Sequence, residues 1–160
     1  MWSPPPPWVV KLNVDVGFTN DNASVAVVAR ASFGNILQCW SEGCNTTDPC
    51  IVEALAVVWA LQLASLEKLV EIQVEGDAQV CINAINGHTA DIPWKILLVI
   101  SNVKVLVSTF KSCSFVWVRW SANSVVHSLA NEASAFPACF HCNNSNLPSS
   151  VREAWIRDLG

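Results

Sequence analysis

Charge is what this sequence has least of. Only 14% of its 160 residues are Asp, Glu, Lys or Arg, where an ordinary globular chain carries about 25%. Hydrophobic residues make up 52%, which excludes a disordered chain and, with it, a basic nucleic-acid tail. The few charges also lean the wrong way for a polyanion: 9 Lys and Arg against 13 Asp and Glu leave a net charge of −4. Nothing electrostatic draws such a chain toward DNA, RNA or an anionic membrane.

A long uninterrupted apolar run is missing as well. Mean hydropathy is high at +0.36, yet the longest apolar stretch, Ile51 to Leu66, carries Glu53 and Gln62. It falls short of the roughly 20 apolar residues that a span requires, so no membrane is expected. Met1-Trp2-Ser3 and the prolines that follow supply neither the basic nor the apolar part of an export signal. A cytoplasmic or nuclear protein is expected, in which the seven cysteines are reduced thiols. Cys139 and Cys142, with His141 between them, would be half of a zinc site, but no second Cys pair accompanies them. Three Asn-x-Ser/Thr triplets, at Asn22, Asn45 and Asn143, mean little without export.

What is present is a clear change of pattern along one domain length. Residues 1–8 are a proline-rich lead, extended or irregular. Trp8 to Asp15, Ala23 to Arg30 and Ile36 to Trp40 read as three strands, the last two joined by a turn at Phe33-Gly34-Asn35. Asp48-Pro49 then opens a helix, Asp48 as the cap and Pro49 at the first helical position. Ile51 to Leu66 is apolar nearly all round, as a helix buried on most sides would be. A strand at Leu69 to Glu75, a helix at Asp77 to Ile85 closed by Asn86-Gly87, and a helix at Pro93 to Phe110 follow. A strand at Ser114 to Arg119 and a helix at Ser124 to Ala133 complete the pattern. Residues 135–150 read as loop, and Val151 to Leu159 as a last short helix. No internal repeat occurs. Three antiparallel strands followed by alternating helices and strands imply an α/β fold: a mixed sheet with helices on its faces.

Against so few charges, acids inside apolar elements stand out. Asp15 ends a strand that should be central, Glu53 sits in the second turn of the most apolar helix, and Asp77 follows directly on a strand. Burying a carboxylate costs several kcal/mol unless it is paired, hydrogen-bonded or bound to metal. Each has a plainer reading: Asp77 as a helix cap, Glu53 as a partner of the helix dipole or a solvent-facing residue, Asp15 as a turn residue. The joint pattern is more specific, because all three can converge at one edge of the sheet.

These residues also carry a resemblance. Lys11-Leu12-Asn13-Val14-Asp15, Val52-Glu53-Ala54-Leu55-Ala56, Val74-Glu75-Gly76-Asp77 and Ser121 to Ala130 are similar to the motifs of plant ribonuclease H-like domains of the reverse-transcriptase-associated, retroelement-derived type. The likeness covers residues 9 to 135, with a proline-rich lead before it and residues 136–160 as a tail after it. It implies a five-stranded mixed sheet and metal-dependent endonucleolytic cleavage of the RNA strand of RNA–DNA hybrids. In the family, carboxylates hold two divalent cations, one generating the attacking hydroxide and the other stabilising the leaving 3′-oxygen. Mg2+, or Mn2+, suits such oxygen ligands. The 2′-hydroxyl distinguishes RNA from DNA.

By the same resemblance, Asp15, Glu53 and Asp77 match the metal-binding carboxylates. His127 stands where bacterial-type enzymes carry a fourth acid, and is a candidate proton carrier. Its plainer reading is a satisfied polar residue on the last helix. The expected partner is an RNA–DNA hybrid or other nucleic acid, and the expected state a monomer.

The sequence departs from the family in three places. Val16 separates Asp15 from Gly17, where the family has Gly directly after the Asp. The second strand lacks the family's glycines, which would let a backbone approach closely. Trp120 stands where a charged residue is common. Eight Trp offer stacking surfaces, but core positions are the expected use. Three functions compete: an active hydrolase, a catalytically weak or inactive nucleic-acid-binding module, and a protein-interaction domain. The triad favours the first over the third. The missing glycines and sparse basic residues favour the second over a vigorous enzyme. The reading adopted is the hydrolase.

Overall fold

Valine-rich, alternating patterns set the first two strands. In the computed structural model, which describes residues 1–135 and 139–160, β1 (Val10–Phe18) pairs antiparallel with β2 (Ala23–Arg30), and β2 with β3 (Ile36–Cys44). Leu12, Val14 and Val16 of β1 pack on one face with Val25, Val27 and Ala29 of β2. Ala26 and Val28 face the other side, as the period of two requires.

Asp48 caps the next element as expected: its carboxylate accepts the N–H groups of Cys50 and Ile51, and Pro49 opens α1 (Pro49–Leu66). This helix has the length and composition to cross a membrane. Here Val52, Leu61 and its alanines are buried in the cluster formed with the Leu12 face of the sheet. Two parallel strands extend the sheet past β1: β4 (Glu71–Gly76), then β5 (Ser112–Trp117). Between them come α2 (Gln79–Asn86), closed by Gly87 in the left-handed conformation, and α3 (Leu97–Val107). The single helix expected from Pro93 to Phe110 is shorter, because Trp94–Ile96 form a 3-10 turn and the chain turns again after Val107.

The opposite face is covered by α4 (Ser124–Ala135) and α5 (Ser149–Leu159). Gly17 explains how closely α4 approaches. A Cβ there would lie 2.3 Å from the Ala130 carbonyl oxygen, which instead accepts the Ser24 hydroxyl at 3.1 Å.

The five-stranded expectation needs one correction. Residues expected as loop include a sixth strand, β6 (Phe140–Cys142), paired antiparallel with β3, so the order is β5-β4-β1-β2-β3-β6. Three residues carry too little periodicity to announce a strand; the exposed edge of β3 supplies it. Pro137 of the same expected loop lies outside the described residues. The expectation that tryptophans fill the core also fails in part. Trp2 and Trp40 are buried, whereas Trp8, Trp94, Trp117 and Trp120 are exposed.

Polar residues on the covered face form a buried network. Lys11 Nζ meets Glu75 Oε1 at 2.6 Å, and Asn13 donates to Glu75 Oε2 at 3.0 Å and to Asn123 Oδ1 at 3.1 Å. Arg30 donates to Asn13 Oδ1 at 3.2 Å and to Asp158 Oδ2 of α5 at 2.7 Å. The Trp2 ring lies 4.0 Å from the guanidinium carbon. The proline-rich lead is therefore docked, and its Ser3 carbonyl accepts Lys11 Nζ at 2.5 Å.

Candidate metal centre

The topology brings the three acids together. Because β1 and β4 are parallel neighbours with Asn13 opposite Glu75, Asp15 comes to lie beside Asp77, which directly follows β4. Asp15 does not end its strand as expected, since β1 stays paired with β2 as far as Phe18. Helix α1 carries Glu53 in its second turn. One carboxylate oxygen from each of Asp15, Glu53 and Asp77 lies within 4.8 Å of the others. The plainer reading of Asp77 as a cap fails, since α2 begins at Gln79 without a side-chain cap.

Two of the acids resist ionisation. Burial, with the charge of Asp77, raises Asp15 to about 6, against the Val16 amide and His127, which lower it. Burial raises Glu53 further, to about 8, with the charges of Asp15 and Asp77 adding to it. No ion pair among the described residues reaches Glu53 or Asp77. Three hard oxygen donors, crowded and short of positive charge, fit a divalent cation of the Mg2+, Mn2+ or Ca2+ type.

His127 joins them. Its Nδ1 lies 2.8 Å from Asp15 Oδ2 and its Nε2 lies 3.1 Å from the Asn131 amide nitrogen. A neutral ring with its proton on Nδ1 satisfies both bonds: it donates to Asp15 and accepts from Asn131. The plainer reading of His127 as a satisfied polar residue therefore holds in the literal sense, but the residue that satisfies it is the first carboxylate of the cluster.

The sequence did not point to Asn131, whose only signal is its place four residues after His127 on one helix face. Nor did it point to Asn123, which donates to the Val14 carbonyl at 2.9 Å and so fixes the start of α4 beside Asp15. Trp117 borders the site by donating its indole N–H to the Asp77 carbonyl at 3.1 Å. Beside Glu53 a cleft of about 310 Å³ opens between the first turns of α1 and α2, lined by Cys50, Val80 and Cys81 among others. Among the described residues, Cys139, His141 and Cys142 form no cluster suited to a metal; the acidic triad is the one such group.

The reverse transcriptase-like family model matches residues 13–133, a span that contains all three acids and His127. The chain belongs to the reverse transcriptase-like family. No curated protein sequence matches this family member, but solved structures share its fold. Ribonuclease H1 from the halophilic archaeon Halobacterium salinarum NRC-1 superposes with a TM-score of 0.74 at 17% identity, over 81% of this chain and 99% of that one. An N-terminal ribonuclease H domain from Mycobacterium tuberculosis gives 0.72 at 18% identity, over 79% and 94%. LC11-RNase H1, isolated from compost and solved in complex with an RNA/DNA hybrid, gives 0.70 at 20% identity, over 79% and 96%. This reverse transcriptase-like domain thus has the ribonuclease H fold, with a sixth strand at one edge of the sheet.

Proposed function

We propose that the domain hydrolyses the RNA strand of RNA–DNA hybrids, with Asp15, Glu53 and Asp77 as the ligands of two divalent cations. The observation that carries this reading is the convergence of three carboxylates at the strand edge of a ribonuclease H fold. Mg2+, or Mn2+ in its place, would supply Lewis-acid activation of water and of the scissile phosphate. Asp15 is held inside β1 and Asp77 directly follows β4, so their carboxylates need little reordering to bind. His127, about half exposed and hydrogen-bonded to Asp15, is the residue we assign to moving a proton between the site and solvent. Residues 9–135 constitute the nuclease domain in this reading, with the lead and the tail as additions. The domain works as a monomer in cytoplasm or nucleus, and its origin is a plant retroelement.

One observation favours a second reading, a weak or inactive nucleic-acid-binding module. Of the 9 Lys and Arg, Lys11 and Arg30 are buried in the network under the sheet, and few remain to meet phosphates. Affinity should accordingly be modest and salt-sensitive.

Incubating the purified chain with a labelled hybrid in Mg2+, Mn2+ or EDTA decides between them. Metal-dependent cleavage that vanishes in Asp15→Asn/Asp77→Asn and falls by about 10²-fold in His127→Ala is expected. Cleavage undiminished in the double variant, or absent under every metal, would sink the nuclease reading. A salt-dependent gel shift without cleavage would establish the second.

A further inference from the structure

Two of the seven cysteines are set against each other outside the acidic site, on the β3–β6 edge of the sheet. Cys39 of β3 and Cys142 of β6 are direct register partners in an antiparallel pair. Opposed residues in such a pair have Cα atoms about 4.5–5.5 Å apart, inside the roughly 4.4–6.8 Å that a disulfide bridges. Both side chains point to the same face, into the cluster beneath α4 and α5. Their sulfurs touch at 2.6 Å, and the Cys39 thiol also reaches the Cys142 carbonyl at 3.5 Å. The other five cysteines are free thiols as well.

We propose that Cys39 and Cys142 are a modification site, forming a reversible disulfide that pins β6, and α5 behind it, to the body of the sheet. This does not rest on the nuclease reading. A three-residue strand at a sheet edge opens locally at small cost, which gives a small oxidant access to an otherwise buried pair.

The oxidant is a low-molecular-weight disulfide of the oxidised glutathione type. The Cys142 thiolate attacks one of its sulfurs, its S–S bond breaks, and one glutathione thiolate leaves. The Cys39 thiolate then attacks the Cys142 sulfur of the mixed disulfide, and the second glutathione thiolate leaves. The two cysteines lose two protons and two electrons; the oxidant gains both as two thiols. The order follows from the hydrogen bond between them, which holds the Cys142 thiol below its usual range. The same bond, with burial, pushes Cys39 up. Closing so long a loop restrains the unfolded chain strongly.

The test is oxidation of the folded full-length chain with oxidised glutathione, followed by tryptic mapping without reductant. Cleavage after Arg30, Lys68, Arg119 and Arg152 places Cys39 in fragment 31–68 and Cys142 in fragment 120–152. The expected result is a link between these fragments, loss of two thiols, and a melting temperature higher by roughly 5–15 °C, all reversed by dithiothreitol. The link should disappear in Cys39→Ala and in Cys142→Ala and persist in Cys44→Ala and Cys139→Ala. A link that survives Cys39→Ala, a Cys139–Cys142 loop in its place, or no link at all overturns the proposal. If Cys39→Ala does not fold, the wild-type chain oxidised in urea decides. Equal yield there would show that the fold does nothing to pair these two cysteines.

Discussion

Three carboxylates within 4.8 Å of one another, two of them shielded from water, cannot all ionise without strain on the fold. Glu53, raised from 4.5 to about 8, and Asp15, raised from 3.8 to about 6, are easier to ionise in the unfolded chain than in the folded one. Their protonated forms therefore favour folding. That contribution is complete below the unfolded values, and it is lost as pH rises through the folded ones. Melts in EDTA should show a melting temperature that declines from about pH 4 to about pH 8. Glu53→Gln should flatten most of that decline, and Mg2+ should raise the wild-type melting temperature at the alkaline end while leaving Glu53→Gln much less changed. A pH-independent melt in EDTA would contradict this. The triad was legible in the sequence for a physical reason: in a chain this poor in charge, an acid inside an apolar element has to have a use. Asn131 and the Lys11–Glu75 pair were not legible. Asn131 is an ordinary polar residue on a helix until His127 turns toward it, and Lys11 and Glu75 meet only through the register of β1 on β4.

Elements whose pattern is their own were readable, and those that exist because of a neighbour were not. The hydrophobic alternation of β1 and β2 and the Asp48-Pro49 start of α1 are local signals, and they match the structure to within a few residues. By contrast β3 runs on to Cys44 because β2 continues to pair with it, and β6 exists because the edge of β3 is open to it. Gly17 belongs to the same class. Its displacement by Val16 from the family's usual position reads as a defect in sequence, but in the fold it is the position at which α4 lies against β1. Gly17→Ala would push a Cβ into the Ala130 carbonyl, backbone that can yield only if α4 shifts. The expected cost is about 1–3 kcal/mol, read as a lower urea midpoint. Because His127 rides on α4, the variant should also lose hybrid cleavage at temperatures where it remains folded. A variant with wild-type stability would mean that α4 is not held as closely as this geometry requires.

At the scale of the molecule, the two ends of the chain meet over the back of the sheet. Trp2 lies on Arg30, and Leu159 approaches both Trp2 and Gly34, since a Cβ at Gly34 would meet the side chains of each. Trp155 donates to the Gly34 carbonyl at 2.8 Å. Arg30 is fully buried, and among the described residues its ion pair is with Asp158 in the last turn of α5. The tail is thus part of what makes the sheet interior tolerable, because it neutralises a guanidinium that the strand carries into the core. Removing one partner of a buried pair is far more damaging than the pair is helpful, since the remaining charge stays desolvated. Asp158→Ala should therefore cost about 3–5 kcal/mol, whereas Asp158→Asn, which keeps a hydrogen-bond acceptor beside Arg30, should cost less than half of that. Arg30→Met combined with Asp158→Ala should recover part of the loss, even though Asn13 then lacks the donor that Arg30 gave it. Urea unfolding of wild type, Asp158→Ala, Arg30→Met and the double variant forms the cycle. If Asp158→Ala proves as mild as a surface substitution, Arg30 must find water or another acceptor, and the tail is an appendage rather than a wall of the core.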